Sequence, residues 1–254
     1  PQEWDAPGEI IPLKFRKFGC SLPDDDRRYM ALYMNKLVDF YRPPRTNRVR
    51  SFLVIELYGS QESYETALSN MHIRAPSRTT MFGSAAESPA MYIPIRQLAV
   101  IPKFGWEIRS ILHELAHHVH HWAMDGSEIW LNEGLSTFFE DTVFDTEEMR
   151  VSSPESKTKI VHRIYRFQLL NVNTLLAMNH KAFNTGSNED VTYRYYLSWA
   201  IVSHLYQKKP EVLKELLARV SGGERSAAVL EAFYPGGLKA LSEALEDECR
   251  TEGD

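Results

Sequence analysis

Residues 106–140 read WEIRSILHELAHHVHHWAMDGSEIWLNEGLSTFFE, and two short motifs in this stretch organise the rest of the chain. The first is HELAH at residues 113–117, within a run whose apolar residues suit one packed helix. The second is WLNEG at residues 130–134, which continues into the amphipathic run LSTFFEDTVF. Residues 125–127 predict a turn with Ser127 as the N-cap of the second helix. We therefore predict two neighbouring helices joined by a short turn.

The spacing within the first motif predicts a metal site. Side chains four residues apart lie on one face of a helix, one turn apart, so His113 and His117 can offer two imidazole nitrogens to one cation. Glu114 projects beside them, and burying these three polar groups requires compensation that a divalent cation provides. A catalytic zinc needs a third protein ligand and an open position. A third histidine ten residues after the first is excluded, because that position is Ala123; the other option is a glutamate from the following helix, Glu133.

The two motifs together resemble a known superfamily. HELAHH followed by WLNEGLSTFFE resembles the gluzincin zinc metallopeptidases, and WLNEG is similar to a segment of the leukotriene-hydrolase-type aminopeptidases. The compact arrangement resembles the bacterial peptidase MA-like families, several of them of unknown function. The resemblance implies that His113, His117 and Glu133 bind one Zn²⁺ per chain and that Glu114 is the general base. It further implies that Tyr195, with Tyr193 as second choice, donates a hydrogen bond to the oxyanion.

The remaining sequence predicts an α+β fold. Strand patterns occur at residues 10–18 and 51–58, helical patterns at 24–41 and 64–69, and a further strand at 91–101, which Pro94 demotes to an edge of the sheet. After residue 145 the pattern becomes helical, with a polar loop expected at 187–190. We predict a small mixed sheet with helices in the N-terminal half and an all-helical C-terminal half. The resemblance places the zinc helix beneath the sheet, as in a thermolysin-like catalytic domain.

The predicted division of the chain follows the change from mixed strand and helix patterns to helical patterns after residue 145. Residues 1–145 are expected to form an α/β subdomain with the edge strand and the zinc-binding helices. Residues 146–254 are expected to form a helical subdomain that closes the cleft. Residues 71–90 predict a loop, and its sequence does not match the amine-anchoring loop of the aminopeptidases.

Composition excludes several classes of partner. The 254 residues carry a net charge of −5 and no basic cluster interleaved with aromatic residues, which argues against nucleic acid. No apolar run approaches the ~20 residues needed to span a bilayer. Cys20 and Cys249 have no metal-ligand spacing and are expected to be two unpaired thiols. Because the chain begins at Pro1, we expect a secreted or periplasmic protein whose N-terminal signal has been removed.

Other polar residues near the motifs receive more ordinary interpretations. Three further histidines, His118, His120 and His121, are expected to be surface or cleft-lining groups, and His204 a core histidine with its hydrogen bonds satisfied. Thr137 and Glu140 lie one and two turns after Glu133, so either side chain is a candidate acceptor for a ligand imidazole.

Two functions from different classes follow from these residues. The first is an active zinc metallopeptidase that cuts peptides or proteins through a metal-activated water. The second is a catalytically weak peptidase-like binding module with a structural metal site. Hydrolysis of a non-peptide amide is a third, weaker interpretation. The presence of all three ligands and the general base favours the first.

Overall fold

The computed structural model describes residues 2–6, 13–41, 53–72, 90–93, 96–102, 108–124, 126–145 and 148–251. Within these ranges the chain forms an α+β fold with one five-stranded mixed sheet, one two-stranded sheet, and helices throughout the C-terminal half, which confirms the predicted class. The chain divides into two compact units. The first comprises residues 1–123 and 142–150, and the second comprises residues 124–141 and 151–254. The predicted division at residue 145 and the cleft-closing role of the second half stay predictions.

The first unit is built on the five-stranded sheet. Its strands lie in the order β1-β2-β3-β5-β4, with β2, β3 and β5 parallel and the two outer strands antiparallel to their neighbours. The strands are β1 (Gln2–Ala6), β2 (Leu13–Phe18), β3 (Leu53–Tyr58), β4 (Met91–Ile93) and β5 (Leu98–Pro102). Strand β3, with the sequence LVIELY, is buried along its whole length, as a central strand with apolar side chains on both faces should be.

Three helices cover this sheet. They are α1 (Asp24–Tyr41), α2 (Gln61–Asn70) and α3 (Ile108–Ala123). Tyr64 and Leu68 of α2 pack in one cluster with Val54, Leu98 and Val100 of the central strands. Helix α3 carries the HELAH motif and packs against α1, β4 and β5, so the motif helix lies against the sheet. A two-stranded sheet, β6 (Thr142–Asp145) with β7 (Glu148–Val151), completes the secondary structure of this part.

The second unit is helical. It contains α4 (Ile129–Phe139), α5 (Glu155–Arg166), α6 (Val172–Leu176), α7 (His180–Phe183), α8 (Asn188–Lys208), α9 (Pro210–Ser221), α10 (Ser226–Phe233) and α11 (Gly237–Thr251). Helix α8 is the central element, because α4, α5, α6, α9 and α11 all pack against it. Its middle, from Tyr195 to Leu205, is buried almost without interruption, and this explains the apolar run YYLSWAIVSHL.

Several boundaries differ from the sequence predictions. The strand expected at 91–101 is two antiparallel strands, β4 and β5, and Gln97 just before β5 adopts a positive φ of 48°. The N-cap of α4 is Glu128, without a side-chain capping bond, instead of Ser127. Helix α4 ends at Phe139, and the chain continues as β6. The polar segment at 187–190 is a capping box, in which Ser187 and Asp190 bond reciprocally at the start of α8.

One of the predicted segments lies outside the described residues. Residues 73–89, most of the loop predicted at 71–90, lie outside the described residues. Neither Cys20 nor Cys249 takes part in a disulfide. Among the helices in the described ranges, none combines the length and apolar character that crossing a membrane requires.

Candidate metal centre

Helix α3 presents two histidines from successive turns. The rings of His113 and His117 lie with their centroids 4.7 Å apart and their planes at 78°, as the four-residue spacing predicts. His113 is buried and His117 is half-buried. On the opposite side the helix is fixed by its apolar residues and by α1, whose Tyr33 hydroxyl donates to the carbonyl of Leu112 at 2.9 Å. The histidine pair is therefore held on a helix that is anchored one residue before the first ligand.

Helix α4 holds Glu133 in a similarly rigid setting. Trp130 is fully buried and its indole Nε1 donates to the Ser226 hydroxyl at 2.8 Å, which ties α4 to the start of α10. On the other side α4 crosses α8 at Gly134, where a Cβ would lie 2.8 Å from the carbonyl oxygen of Ser198. The glycine of WLNEG is therefore required by close helix packing immediately after the carboxylate.

The structure brings the three predicted ligands together. Donor atoms of His113, His117 and Glu133 all lie within 4.8 Å of one another, and this is a group that could hold a metal ion. Two imidazoles and one carboxylate are also the donor set of a catalytic zinc that keeps a fourth position open. The residues present therefore fit a divalent cation of this type.

Glu114 lies next to the first ligand and is buried. The Tyr64 side chain from α2 lies behind it, and burial together with the nearby negative charge of Glu114 raises the pKa of the Tyr64 phenol above its usual range. Tyr64 itself is fully buried in the cluster between α2 and the sheet. Glu114 is thus a buried carboxylate on the same helix as the histidine pair, and a carboxylate at such a position can serve in proton transfer.

The two candidate oxyanion donors occupy different environments on α8. The hydroxyl of Tyr193 donates to Glu189 Oε1 at 2.5 Å, and the same carboxylate oxygen accepts from Arg163 at 2.7 Å. Burial, reinforced by the hydrogen bond to Glu189, raises the pKa of Tyr193 to about 12. Tyr195 is buried and its ring packs against Phe183 at 5.2 Å between centroids. The Tyr193 hydroxyl is therefore engaged locally, and the preference for Tyr195 stays a prediction.

Surface exposure, one of the two expectations for the extra histidines of α3, is wrong for two of the three, and the expectation that they line a cleft stays a prediction. His118 and His120 are buried, with 2% and 0% of their surfaces exposed, and only His121 is exposed. His118 is hydrogen-bonded through Nδ1 to the Tyr92 hydroxyl, and burial lowers the pKa of His118 to about 4, so this imidazole is neutral. His120 packs edge-on against Tyr41 of α1. Both residues face elements of the sheet unit that the motif alone does not reveal.

His204 is a satisfied core histidine, as predicted. Its Nδ1 lies 2.8 Å from Glu248 Oε1 and its Nε2 lies 2.9 Å from the Tyr234 hydroxyl. The side chain is buried in α8 and links this helix to α10 and α11.

The region after Glu133 contains a buried charge cluster that the sequence did not indicate. Lys157 is almost completely buried, and its Nζ donates to Glu140 Oε1 at 2.7 Å, to Asp141 Oδ2 at 2.5 Å and to the Thr137 carbonyl at 2.7 Å. Within the described part of the chain, the Thr137 hydroxyl is buried and has no hydrogen-bond partner, so the prediction that it accepts from a ligand imidazole is wrong. The corresponding role of Glu140 stays a prediction. The sequence around Lys157 does not predict that this lysine is buried, and no local pattern identifies its partners.

Comparisons with known proteins give a distant structural similarity and no similarity to a known family. No protein family and no curated protein matches the chain. Among solved structures, the chain is similar to a mutant of an M1 zinc metallopeptidase from Deinococcus radiodurans, with 13% sequence identity and a TM-score of 0.48. The match covers 100% of this chain and 52% of that one, so this chain spans about half the length of that protein. At this identity and TM-score the similarity assigns neither a family nor an activity.

Proposed function

We propose that this protein is a zinc-dependent metallopeptidase of the gluzincin type. The observation that carries the proposal is the convergence of His113, His117 and Glu133, whose donor atoms lie within 4.8 Å of one another. The donor set favours zinc over magnesium or calcium, because those harder cations prefer carboxylate, carbonyl and water oxygens to imidazole. When bound, zinc supplies a Lewis acid that polarises a scissile carbonyl and lowers the pKa of water to about 7.

Glu114 takes the proton-transfer role in this proposal. Its position next to His113 on the same helix puts a buried carboxylate beside the metal ligands without requiring it to be one of them. The carboxylate accepts the proton of the attacking water and delivers it to the nitrogen of the leaving amine, so no net proton is gained or lost by the side chain. Tyr195 is proposed to donate its phenolic proton in a hydrogen bond to the developing oxyanion.

The proposed substrate is a peptide or protein segment in extended conformation. Strand β4 is an edge strand of the five-stranded sheet, and it packs against α3, the helix that bears both histidines. An extended peptide can add to such an edge by main-chain hydrogen bonds, which bind peptides with little dependence on sequence. This arrangement supports peptide over a small non-peptide amide as the substrate class.

The direct test combines metal loading with cleavage of a mixed peptide library. The zinc-loaded wild type should cleave peptides and lose this activity in a chelator. Glu114→Gln should keep its zinc and lose about 10²–10⁴-fold in kcat, the range for removal of a general acid–base group. Glu155→Gln, a change at an exposed glutamate on α5, is the matched control and should cleave at the wild-type rate.

Two results would contradict the proposal in different ways. Cleavage by Glu114→Gln at the wild-type rate would remove Glu114 from the mechanism. A wild-type protein that binds zinc tightly and cleaves no peptide in the library would favour the alternative, a peptidase-like binding module with a structural metal site.

A further inference from the structure

A hydrogen bond joins the edge strand to the motif helix. Tyr92 is the middle residue of β4, and its hydroxyl lies 2.9 Å from Nδ1 of His118, the residue directly after His117. The two rings meet edge-on, with centroids 5.4 Å apart and planes at 81°. The contact therefore connects the outermost strand of the sheet to the helical turn that carries the second histidine ligand.

We propose that Tyr92 and His118 form a positioning pair, which holds strand β4 against α3 at the spacing that an extended peptide needs to reach the metal centre. The inference rests on the proposed peptidase function. It assigns no chemistry to either residue. Tyr92 and His118 set the position of strand β4. The strand in turn sets where the substrate main chain binds.

The hydrogen-bond balance of His118 argues against a purely stabilising role. Among the described residues, Nε2 of His118 is buried and has no hydrogen-bond partner. The net gain from the single bond to Tyr92 is therefore offset by the cost of a desolvated nitrogen, which is of the same size or larger. An apolar side chain of similar volume would fill this position at no loss of stability. A histidine at this position is explained by the bond of its Nδ1 to Tyr92, which ties strand β4 to helix α3.

The backbone of strand β4 gives it few hydrogen bonds of its own, and a side-chain bond adds to the packing of Ile93 on the core. It is three residues long, it is only half-buried, and within the described part of the sheet it pairs only with β5. Short edge strands with one neighbour open readily, since few backbone hydrogen bonds hold them. A side-chain bond from the middle of the strand to a helix that packs in the same unit restricts this opening.

The test uses two variants of the pair and one control on the same helix. Tyr92→Phe removes the hydroxyl and keeps the ring, and His118→Leu removes both ring nitrogens at similar volume. His121→Leu is the control on the same helix, because His121 is exposed and its ring centroid lies 6.4 Å from that of Tyr92, farther than the His118 ring. Four quantities are measured for each: amide exchange of residues 91–93, the urea midpoint, and kcat and KM for a peptide that the wild type cleaves.

The positioning role predicts a specific pattern. Both pair variants should raise amide exchange in β4 by about fivefold to tenfold, the factor expected for the loss of one hydrogen bond. KM should rise several-fold while kcat and zinc affinity stay within about twofold, because the chemistry is untouched. His118→Leu should unfold at a urea midpoint equal to or above that of the wild type, and His121→Leu should match the wild type throughout.

Three outcomes would overturn the inference. Unchanged exchange of residues 91–93 in both pair variants would show that the bond does not hold the strand. A lower urea midpoint for His118→Leu with KM unchanged would mark the pair as structural only. Faster exchange in β4 with an unchanged KM would show that the position of this strand does not affect substrate binding. If the wild type cleaves no peptide, the proposed function fails by itself, and the exchange data still decide whether the pair holds β4.

Discussion

Two tyrosines on one helix occupy different environments. The Tyr193 hydroxyl is bound to Glu189, which Arg163 also contacts, so this phenol is committed to a local network. Tyr195, two residues later, points to another side of α8 and packs against Phe183. The commitment of the Tyr193 hydroxyl to Glu189 is the reason to test Tyr195 first.

We predict that Tyr195→Phe lowers kcat by about 10²–10³-fold, the range for loss of one oxyanion donor, while zinc affinity is unchanged. Tyr193→Phe should leave kcat near the wild-type value. Steady-state kinetics on one peptide substrate measures both. A large loss in Tyr193→Phe with none in Tyr195→Phe would transfer the proposed role to Tyr193.

At the same scale, the sequence predicted the grouping of the candidate ligands better than their surroundings. The spacing of His113 and His117 depends only on helix geometry, and this is local and therefore readable from sequence. The burial of His118 and the pairing of Lys157 with Glu140 depend on which elements pack against α3 and α4. Those contacts join residues far apart in the chain, so no local pattern encodes them.

Helix α4 is positioned by a close approach at Gly134. In an isolated helix, alanine at this position would be more stable than glycine by about 1 kcal/mol. Here a Cβ would meet the Ser198 carbonyl oxygen at 2.8 Å and the Ser198 Cβ at 3.0 Å, and a backbone carbonyl cannot turn aside as a side chain can. The contact therefore outweighs the helix propensity.

Gly134→Ala should lower the free energy of unfolding by about 1–3 kcal/mol, the usual cost of overpacking, and should weaken zinc binding by moving Glu133. Gly222→Ala is the control, because Gly222 has a right-handed helical conformation and its nearest neighbour is a carbonyl oxygen of its own last turn at 3.2 Å. Urea unfolding with a parallel zinc titration measures both effects. Stabilisation by Gly134→Ala would show that the two helices separate freely.

Lys157 joins the C-terminal end of α4 to α5 through one buried ammonium group. Lys157→Met leaves the buried carboxylates of Glu140 and Asp141 without their cation, and the expected loss is about 3–5 kcal/mol in the free energy of unfolding. Lys159→Met, which breaks an exposed pair with Glu155 one turn away, should have no measurable effect. Equal midpoints for the two variants in urea would contradict a stabilising role for the buried cluster.

At the level of elements, periodicity predicted the long segments and missed their ends. Helix α1 spans residues 24–41 as predicted, because its apolar spacing and its acidic first turn are both local signals. The break between β4 and β5 was missed, since Gln97 takes its positive φ without a glycine to mark it. The polar residues 187–190 predicted a loop. They instead form the capping box at the N-terminus of α8.

For the whole molecule, metal binding should contribute to folding stability. Because the three ligands come from two separate helices, an unfolded chain offers no such site, and zinc should bind the native state preferentially. Free zinc at about 100 times its Kd would then add about 2.7 kcal/mol to the free energy of unfolding. Thermal unfolding with zinc and with a chelator measures this difference. His113→Asn should abolish the difference and His180→Asn, at an exposed histidine, should retain it.

The most direct measurement is calorimetric titration of the metal-free protein with zinc, made on the wild type, Glu133→Gln and Glu155→Gln. We expect one zinc per chain for the wild type and for Glu155→Gln. For Glu133→Gln we expect affinity lower by more than about 100-fold, since even residues that only orient ligands cost about 10–100-fold. Equal affinity for all three proteins, or no zinc bound by the wild type, would contradict a metal centre built from His113, His117 and Glu133.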